Sequence, residues 1–339
     1  MDKKKRVTSY DVAEAAGVSQ SAVSRVFLKG RSVSKKTRDK VLTTAKELGY
    51  KPNAIARMLI TKRSGMVAVI LSSRANLNFP EVLSMLNKHL ADKDERVLLF
   101  NLDDAEGLDE ILEQIWTFQV DGVIALAAHF DNESIEQFKD HNIPVVLFNR
   151  VVPSQTASSV CVNHQQGILQ LVTLLHEHQH RDYLIIGGYQ ASDVAQERLT
   201  CAVNALSSYG HNDVPILHGD YSYQSGRDAF AQWMQNNPAP TAVICSNDTM
   251  AIGVIDEARS NWNLRVPEDL SVVGFDGVAA VAWHSYQLTT IKQPLEQMTK
   301  AAVEILLEQI ESPDDPAQLR VWSGSLLEGQ TVGPAKTVK

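Results

Sequence analysis

The sequence is poor in the features that mark secreted and membrane-spanning proteins. Only three of its 339 residues are cysteines, Cys161, Cys201 and Cys245, and they form no CxxC pair. We therefore expect reduced thiols rather than disulfides. No apolar run approaches the length of a membrane span, and Lys3–Arg6 is not followed by the apolar core of a secretory signal. These absences predict a cytoplasmic protein that does not associate with membranes.

Motifs for common catalytic chemistry are also missing. The chain contains no P-loop, no G-x-S-x-G and no G-x-G-x-x-G, and the acidic residues Asp103, Asp104 and Asp131 have no convincing partner in the sequence. We therefore predict a protein that is not an enzyme and needs no cofactor.

One short match to a metal motif remains. His176–His180 fits H-E-x-x-H, which on a helix would place two histidines on one face for zinc, with Glu177 as a base. The match falls in the last turn before an apolar strand, and only Glu197 offers itself as a third ligand. The alternative, which we favour, is a helix end where histidine suits the helix dipole, so no metal is predicted.

Charge is distributed unevenly along the chain. Residues 1–65 contain 16 Lys and Arg against 5 Asp and Glu, a net charge of +11, whereas the whole chain carries −8. A basic segment joined to an acidic body is typical of a protein that binds a polyanion such as nucleic acid. For the tetrapeptide Lys3–Arg6 taken alone, a solvated tail is the better explanation.

The basic segment has the pattern of a helix-turn-helix. Thr8 and Asp11 form a capping-box pattern for a first helix that ends at Gly17, and Ser19 can cap a second helix that runs from Gln20 to about residue 28. Ser34 begins a third helix, whose apolar residues are expected to close a small core: Val41, Ala45 and Leu48. Such a module places its second helix in the major groove of DNA.

From Met66 onward, short apolar runs alternate with amphipathic helices. This pattern is typical of parallel α/β sheets, and its length of some 275 residues favours two lobes around a cleft. Ligands of such sheets bind beyond the carboxyl ends of the strands, where the polar residues Asn149, Asn247 and Asp276 stand.

The head also carries a family resemblance. The residues Asp11-Val12-Ala13, Ala16-Gly17-Val18-Ser19, Val23-Ser24-Arg25-Val26 and Pro52-Asn53-x-x-Ala56-Arg57-x-Leu59 resemble the lactose repressor/galactose repressor (LacI/GalR) family of bacterial regulators. The resemblance implies an all-α helix-turn-helix head and an α/β two-lobed body of the type I periplasmic-binding-protein kind. The expected domains are 1–50 for DNA binding, 51–65 for hinge and linker, and 66–333 for effector binding and dimerisation. The first lobe is expected at about 66–162 and 292–323, and the second at about 163–291 and 324–333.

The resemblance also implies DNA-contacting residues. In the family, the start of the second helix reads bases, and a hinge helix that folds on DNA wedges a leucine into the minor groove. The wedge here is Leu59, and the alternative is an ordinary linker with Leu59 packed on the body. Arg25 suits a guanine edge and Gln20 an adenine. The predicted DNA-binding residues are Gln20, Ser21, Ala22, Arg25, Asn53, Ala56, Arg57 and Leu59.

A second set of residues matches the effector site of the family, which is suited to a sugar. Some members have simpler explanations: Asn247 as a helix cap, Asp276 as part of a turn, and Arg198 as a surface residue. Ala202 and Gly277 depart from the family pattern and leave the effector open, with a nucleobase or sugar acid as alternatives to a sugar. The predicted effector-binding residues are Asn78, Phe79, Asn149, Arg198, Tyr221, Asn247 and Asp276.

The sequence and its family resemblance together predict a transcriptional regulator that acts as a repressor. It is expected to bind double-stranded operator DNA as a homodimer and to respond to a small effector. Leu83, Leu86 and Leu90 are candidate dimer-interface residues. A sugar transport protein would share the cleft but lack the head. A DNA-binding head fused to a sugar-metabolising enzyme is the other alternative.

Overall fold

The protein consists of two compact units, Met1–Gly65 and Met66–Lys339. The computed structural model describes residues 7–27, 32–51, 58, 63–72, 77–102, 108–126, 132–150 and 156–336. The predicted hinge helix, with Asn53, Ala56, Arg57 and Leu59, lies outside the described residues. No helix in these ranges is long and apolar enough to cross a membrane.

The described part of the first unit has three helices around a small apolar core. They are α1 (Ser9–Ala16), α2 (Gln20–Phe27) and α3 (Lys35–Glu47). The capping box predicted for α1 is confirmed, since Thr8 accepts from the Asp11 amide and Asp11 accepts from the Thr8 amide, and Gly17 ends the helix at a φ of 58°. The Ser34 side chain caps α3.

One predicted core residue of this unit is wrong. Leu48 follows the last turn of α3 and is 39% exposed. Its place beside the core is taken by Tyr50, whose ring packs edge-on against Phe27 at 5.7 Å between ring centres. The chain turns back at Gly49, which has a φ of 66°, so the helical spacing no longer predicts which side chain points inward.

The second unit begins with an α/β lobe built on a parallel sheet. The elements of this lobe are β1 (Met66–Ser72), α4 (Phe79–Ala91), β2 (Arg96–Leu102), α5 (Leu108–Phe118), β3 (Gly122–Ala125), α6 (Asn132–Asp140), β4 (Val145–Phe148), β5 (Ser158–Val162), α11 (Leu295–Glu311) and β11 (Leu319–Trp322). The six described strands lie in the order β11-β5-β4-β3-β1-β2. The helix α11 packs beside α4 on this sheet, although most of the second lobe precedes α11 in sequence.

A second parallel sheet forms the other lobe. The elements are α7 (His164–Glu177), β6 (Tyr183–Gly187), α8 (Asp193–Ser208), β7 (Ile216–His218), α9 (Tyr223–Met234), β8 (Ala242–Cys245), α10 (Asp248–Asn261), β9 (Ser271–Val273), β10 (Thr290–Lys292) and β12 (Ser325–Leu327). In the described residues the strands of the sheet lie in the order β7-β6-β8-β9. The short strands β10 and β12 pair antiparallel where the chain passes between the lobes. Residues beyond β12 return to the second lobe, where the Thr331 carbonyl accepts from the Val272 amide.

Burial overturns part of the predicted dimer interface. Leu86 and Leu90 on α4 are completely buried in the apolar core that α4 shares with α11 and the sheet, and Leu83 packs against the same core. The apolar stripe of α4 therefore faces its own sheet, and Leu86 and Leu90 are not available to a partner chain.

Candidate functional site

The second helix of the head presents the predicted base-reading residues on its polar side. Ser21 and Arg25 are exposed, whereas Gln20 and Ala22 are half-buried. The Gln20 amide donates to Ser9 Oγ at 3.3 Å, and Arg25 donates through Nε to the Ser21 carbonyl at 3.3 Å. The structure thus brings these four residues together on one helix, opposite the buried Val23 and Val26.

A cavity in the second unit collects most of the predicted effector residues. It contains about 960 Å³ of space that no protein atom fills, part of it open to solvent. Six of the seven predicted residues line it: Asn78, Phe79, Asn149, Arg198, Tyr221 and Asp276. Because these residues come from strand ends and helix starts of both lobes, the cavity lies in the cleft between the two sheets.

Three of the lining residues have backbone conformations that residues other than glycine rarely adopt. The φ angles are 58° at Asn149, 75° at Tyr221 and 122° at Asp276. Each residue closely follows a parallel strand, β4, β7 or β9. Such strain persists only where the surrounding structure imposes it, and it is common at binding sites.

Asp276 and Arg198 form a buried ion pair at the cavity wall. Arg198 Nη2 donates to Asp276 Oδ1 at 2.8 Å, and Nη1 donates to the Ser246 carbonyl at 2.7 Å. The guanidinium lies 4.1 Å from the centre of the Phe275 ring. Arg198 is therefore a buried positioning group for Asp276 and not a surface helix residue.

Asp248 fixes the loop that follows Asp276. It is fully buried, its Oδ2 accepts from the amides of Gly277 (2.6 Å) and Val278 (2.9 Å), and its Oδ1 accepts from the Thr290 hydroxyl. Burial, and then the charge of Asp276, raise the pKa of Asp248 well above its usual range. Asp248 acts on the cavity through the backbone that carries Asp276.

Asn247 does not line the cavity, which corrects its predicted role. Its Oδ1 caps α10 by accepting from the Met250 amide at 2.9 Å, and its Nδ2 donates to the Tyr221 carbonyl at 3.0 Å. Both polar atoms are thus used inside the protein. Asn247 holds the backbone of Tyr221, whose ring reaches the cavity across Gly188.

Several lining residues escaped the sequence analysis. Gln293 follows β10 and donates to Asp276 Oδ1 at 2.6 Å, and Arg150 follows Asn149 and pairs with Asp193 at 2.8 Å. Their position in the sequence could have identified them, because each is a polar residue at the end of a strand or the start of a helix. The remaining residues of the lining are Ser72, Val82, Leu126, Phe148, Tyr189, Ser192, Val194 and Leu295.

The H-E-x-x-H stretch does not form a two-histidine clamp. The helix α7 ends at Glu177, the His176 ring stacks on Tyr209 at 4.2 Å, and His180 lies beyond the helix with Nε2 3.0 Å from the Gly333 carbonyl. Within the described ranges, no three His, Cys, Asp or Glu side chains are grouped as a metal site requires.

A second contact, next to Arg198, joins the buried His164 to the exposed Glu197. His164 Nδ1 is 3.1 Å from Glu197 Oε1, and its ring meets Phe275 edge-on at 5.5 Å between ring centres. Burial lowers the pKa of His164, and the contact with His164 lowers the pKa of Glu197. Glu197 thus pairs with His164 and is not a third ligand for the H-E-x-x-H stretch.

Comparisons with known proteins agree with both units. The model of bacterial regulatory proteins of the lacI family matches residues 8–53, and that of a periplasmic binding protein-like domain matches residues 172–332. Catabolite control protein A of Priestia megaterium is 31% identical over 304 residues, which cover 88% of this chain and 91% of that protein.

Solved structures give the same result. The Lac repressor dimer bound to operator and the anti-inducer ONPF has a TM-score of 0.85 and 28% identity, covering 97% of this chain and all of that one. The complex of the transcriptional regulator CelR with cellobiose has a TM-score of 0.73 and 27% identity, covering 96% and 100%. The family inferred from the sequence is confirmed, and the chain belongs to the lacI family of bacterial regulatory proteins.

Proposed function

We propose that this protein is a transcriptional repressor that binds a pseudo-palindromic operator as a homodimer and is controlled by a sugar or sugar derivative in the cleft. The observation that carries the proposal is one chain that joins a helix-turn-helix head to a cavity formed by strand ends of two facing sheets. Neither a transport protein nor an isolated DNA reader needs both parts.

The lining of the cavity suits a polyhydroxylated ligand. Carboxylate and amide groups of Asp276, Asn149 and Gln293 can accept from or donate to neighbouring hydroxyls, and the rings of Phe79 and Tyr221 offer flat apolar surfaces for C–H edges. The Asn149 side-chain oxygen is buried and has no hydrogen-bond partner within the described structure. CelR, a structural relative, is solved with cellobiose.

In this proposal the two functions are coupled through the angle between the lobes. A ligand that contacts strand ends of both lobes favours one separation of them, and it shifts the equilibrium by its difference in affinity for the two arrangements. The predicted hinge, residues 51–65, would transmit that change to DNA. In the dimer, two heads on one symmetric site match a pseudo-palindrome.

The enzyme alternative receives no support from the relatives named above, which are a control protein, a repressor and a transcriptional regulator. The charged side chains of the described cavity lining are held in ion pairs with one another. Arg198, for example, donates to both Asp276 and Ser246.

The test is selection of operator sequences from random duplex DNA by the full-length protein, with and without a panel of sugars, sugar acids and purines. We expect enrichment of a palindromic site whose binding changes with one class of sugar. An Arg25→Ala variant should lose preference at one base position, because a bidentate contact to guanine contributes about 1–3 kcal/mol of discrimination. Binding without an enriched sequence would contradict the proposal.

A further inference from the structure

The charges that line the cavity are balanced in pairs. Among the described lining residues, the charged side chains are Arg150, Asp193, Arg198 and Asp276. Arg198 pairs with Asp276 at 2.8 Å, and Arg150 pairs with Asp193 at 2.8 Å. In the described lining, each cation therefore already has a carboxylate partner, and the summed charge is zero.

We infer that the cavity selects an uncharged saccharide against sugar acids and sugar phosphates, and that Asp193 sets this selection by neutralising Arg150. The inference rests on the proposed function, because it concerns the effector of the same cavity. It goes further by naming the charge class of the effector and the residue that determines it.

The wall formed by Asp276 argues against an anionic ligand. Asp276 Oδ1 accepts both side-chain hydrogen bonds that the structure describes for this carboxylate, from Arg198 and from Gln293. Oδ2 is the oxygen left to accept from a ligand. A carboxylate oxygen binds hydroxyl donors, whereas a ligand carboxylate or phosphate next to it meets like charge.

The second pair belongs to the lining of the cavity and joins the two lobes. Arg150 follows β4 of the first lobe, and Asp193 begins α8 of the second. The Arg150 side chain is only 11% exposed, whereas Asp193 is 63% exposed. An anionic ligand in the cavity would be attracted to Arg150. To bind there it must compete with Asp193 for the Arg150 guanidinium.

This competition predicts opposite effects for two substitutions that break the same ion pair. Asp193→Asn removes the negative charge of the carboxylate that the structure places against Arg150, so acid binding should improve relative to neutral binding. Arg150→Gln leaves Asp193 with an uncompensated negative charge, so acid binding should weaken. If the pair served only to hold the lobes together, both substitutions would shift affinity for all ligands in the same direction.

The experiment is calorimetric titration of the full-length protein with matched compounds: glucose, glucuronate and glucose 6-phosphate, and galactose with galacturonate. We expect the unaltered protein to bind neutral members in preference to their acids. The ratio of acid to neutral affinity should rise roughly fivefold in Asp193→Asn, as for a partly exposed ion pair, and fall in Arg150→Gln. Asp213→Asn removes one exposed negative charge elsewhere and should leave the ratio unchanged.

Several outcomes would overturn the inference. These are preference of the unaltered protein for an acid or phosphate, ratios that move in the same direction in both variants, or an equal change in Asp213→Asn. Binding of no compound in the series would also overturn it. Operator selection, measured on the same preparation, separates these results from failure of the proposed function, which would show as loss of sequence preference.

Discussion

Gly188 makes room for the ring of Tyr221. A Cβ atom at this position would lie 2.5 Å from Tyr221 Cε1 and Cζ, closer than side chains tolerate. Tyr221 is itself held at its backbone by Asn247. A small residue next to a ring that lines the cavity can therefore matter to the cavity, even though it offers no functional group to a ligand.

A Gly188→Ala variant should displace the Tyr221 ring and weaken effector binding. Overpacking of this kind costs about 1–3 kcal/mol of stability, so the ring should move away from the added methyl group. We expect the displaced ring to lower effector affinity by roughly fivefold, which corresponds to about 1 kcal/mol of binding free energy. Titration with the effector measures it. Gly187→Ala is the matched control, because its nearest neighbour is the exposed side chain of His218, which can move. Equal losses in both variants would show that Tyr221 is not the cause.

His180 should make stability depend on pH. Burial lowers its pKa to about 4, from 6.5, while Nε2 faces the Gly333 carbonyl. Because the folded state favours the neutral ring, its contribution is complete above pH 6.5 and is lost as the pH falls towards 4. We expect His180 to account for a loss of roughly 2 kcal/mol in unfolding free energy between pH 7 and 4.5.

Urea unfolding at several pH values tests this prediction. His180→Gln retains a donor for Gly333 but cannot titrate, so its unfolding free energy should decline less on acidification. His284→Gln, a substitution of an exposed histidine, should decline as the unaltered protein does. A variant at His180 with an unchanged pH dependence would assign the acid sensitivity to other groups.

At the scale of single elements, the cap of α1 offers a direct test. Thr8→Ala removes the side chain that accepts from the Asp11 amide, and loss of such a cap costs about 1 kcal/mol. Hydrogen exchange in α1 should therefore accelerate, and operator binding should weaken at every sequence alike. Thr43→Ala, on the exposed side of α3, is the control and should slow or preserve exchange. Altered base preference in Thr8→Ala would contradict a purely structural cap.

Local patterns predicted most elements, because caps and apolar periodicity are properties of neighbouring residues. The second helix runs from Gln20 to Phe27, close to the predicted bounds, and Gly17 ends α1 as expected. The same patterns did not show which buried partner a side chain meets. Leu86 and Leu90 form an apolar stripe that fits either a dimer or a sheet, and only the packing of α4 on its own sheet distinguishes these.

For the cavity, strand-end position predicted which residues approach one another, but not the direction of each side chain. Asn149 and Asp276 line the cavity as expected, whereas Asn247 turns inward to cap α10. Gln293 was missed because Asp276 lies far from it in sequence, after a different strand. The two residues meet only because the chain returns beside Asp276 at β10.

At the scale of the whole molecule, the uneven charge predicts different salt dependence for the two ligands. Operator affinity should fall steeply with salt, since each phosphate contact contributes about −0.9 to the slope of log affinity against log salt. Binding of an uncharged effector should change little. Lys36→Ala in the head should reduce the slope by about one if it contacts phosphate, whereas Lys139→Ala on the body should not. Equal slopes for both variants would contradict a basic face confined to the head.

The path of the chain between the lobes affects how the protein is made on the ribosome. The first lobe lacks α11 and its edge strand β11 until residue 322 has been synthesised, and the second lobe lacks the segment that supplies the Thr331 carbonyl until residue 331 has been synthesised. Neither lobe can complete its structure before these late residues are made, so both finish folding at nearly the same stage of synthesis. The head has a core of its own and can fold as soon as it has been synthesised. A growing chain therefore has a folded DNA-binding head before its effector-binding lobes are complete.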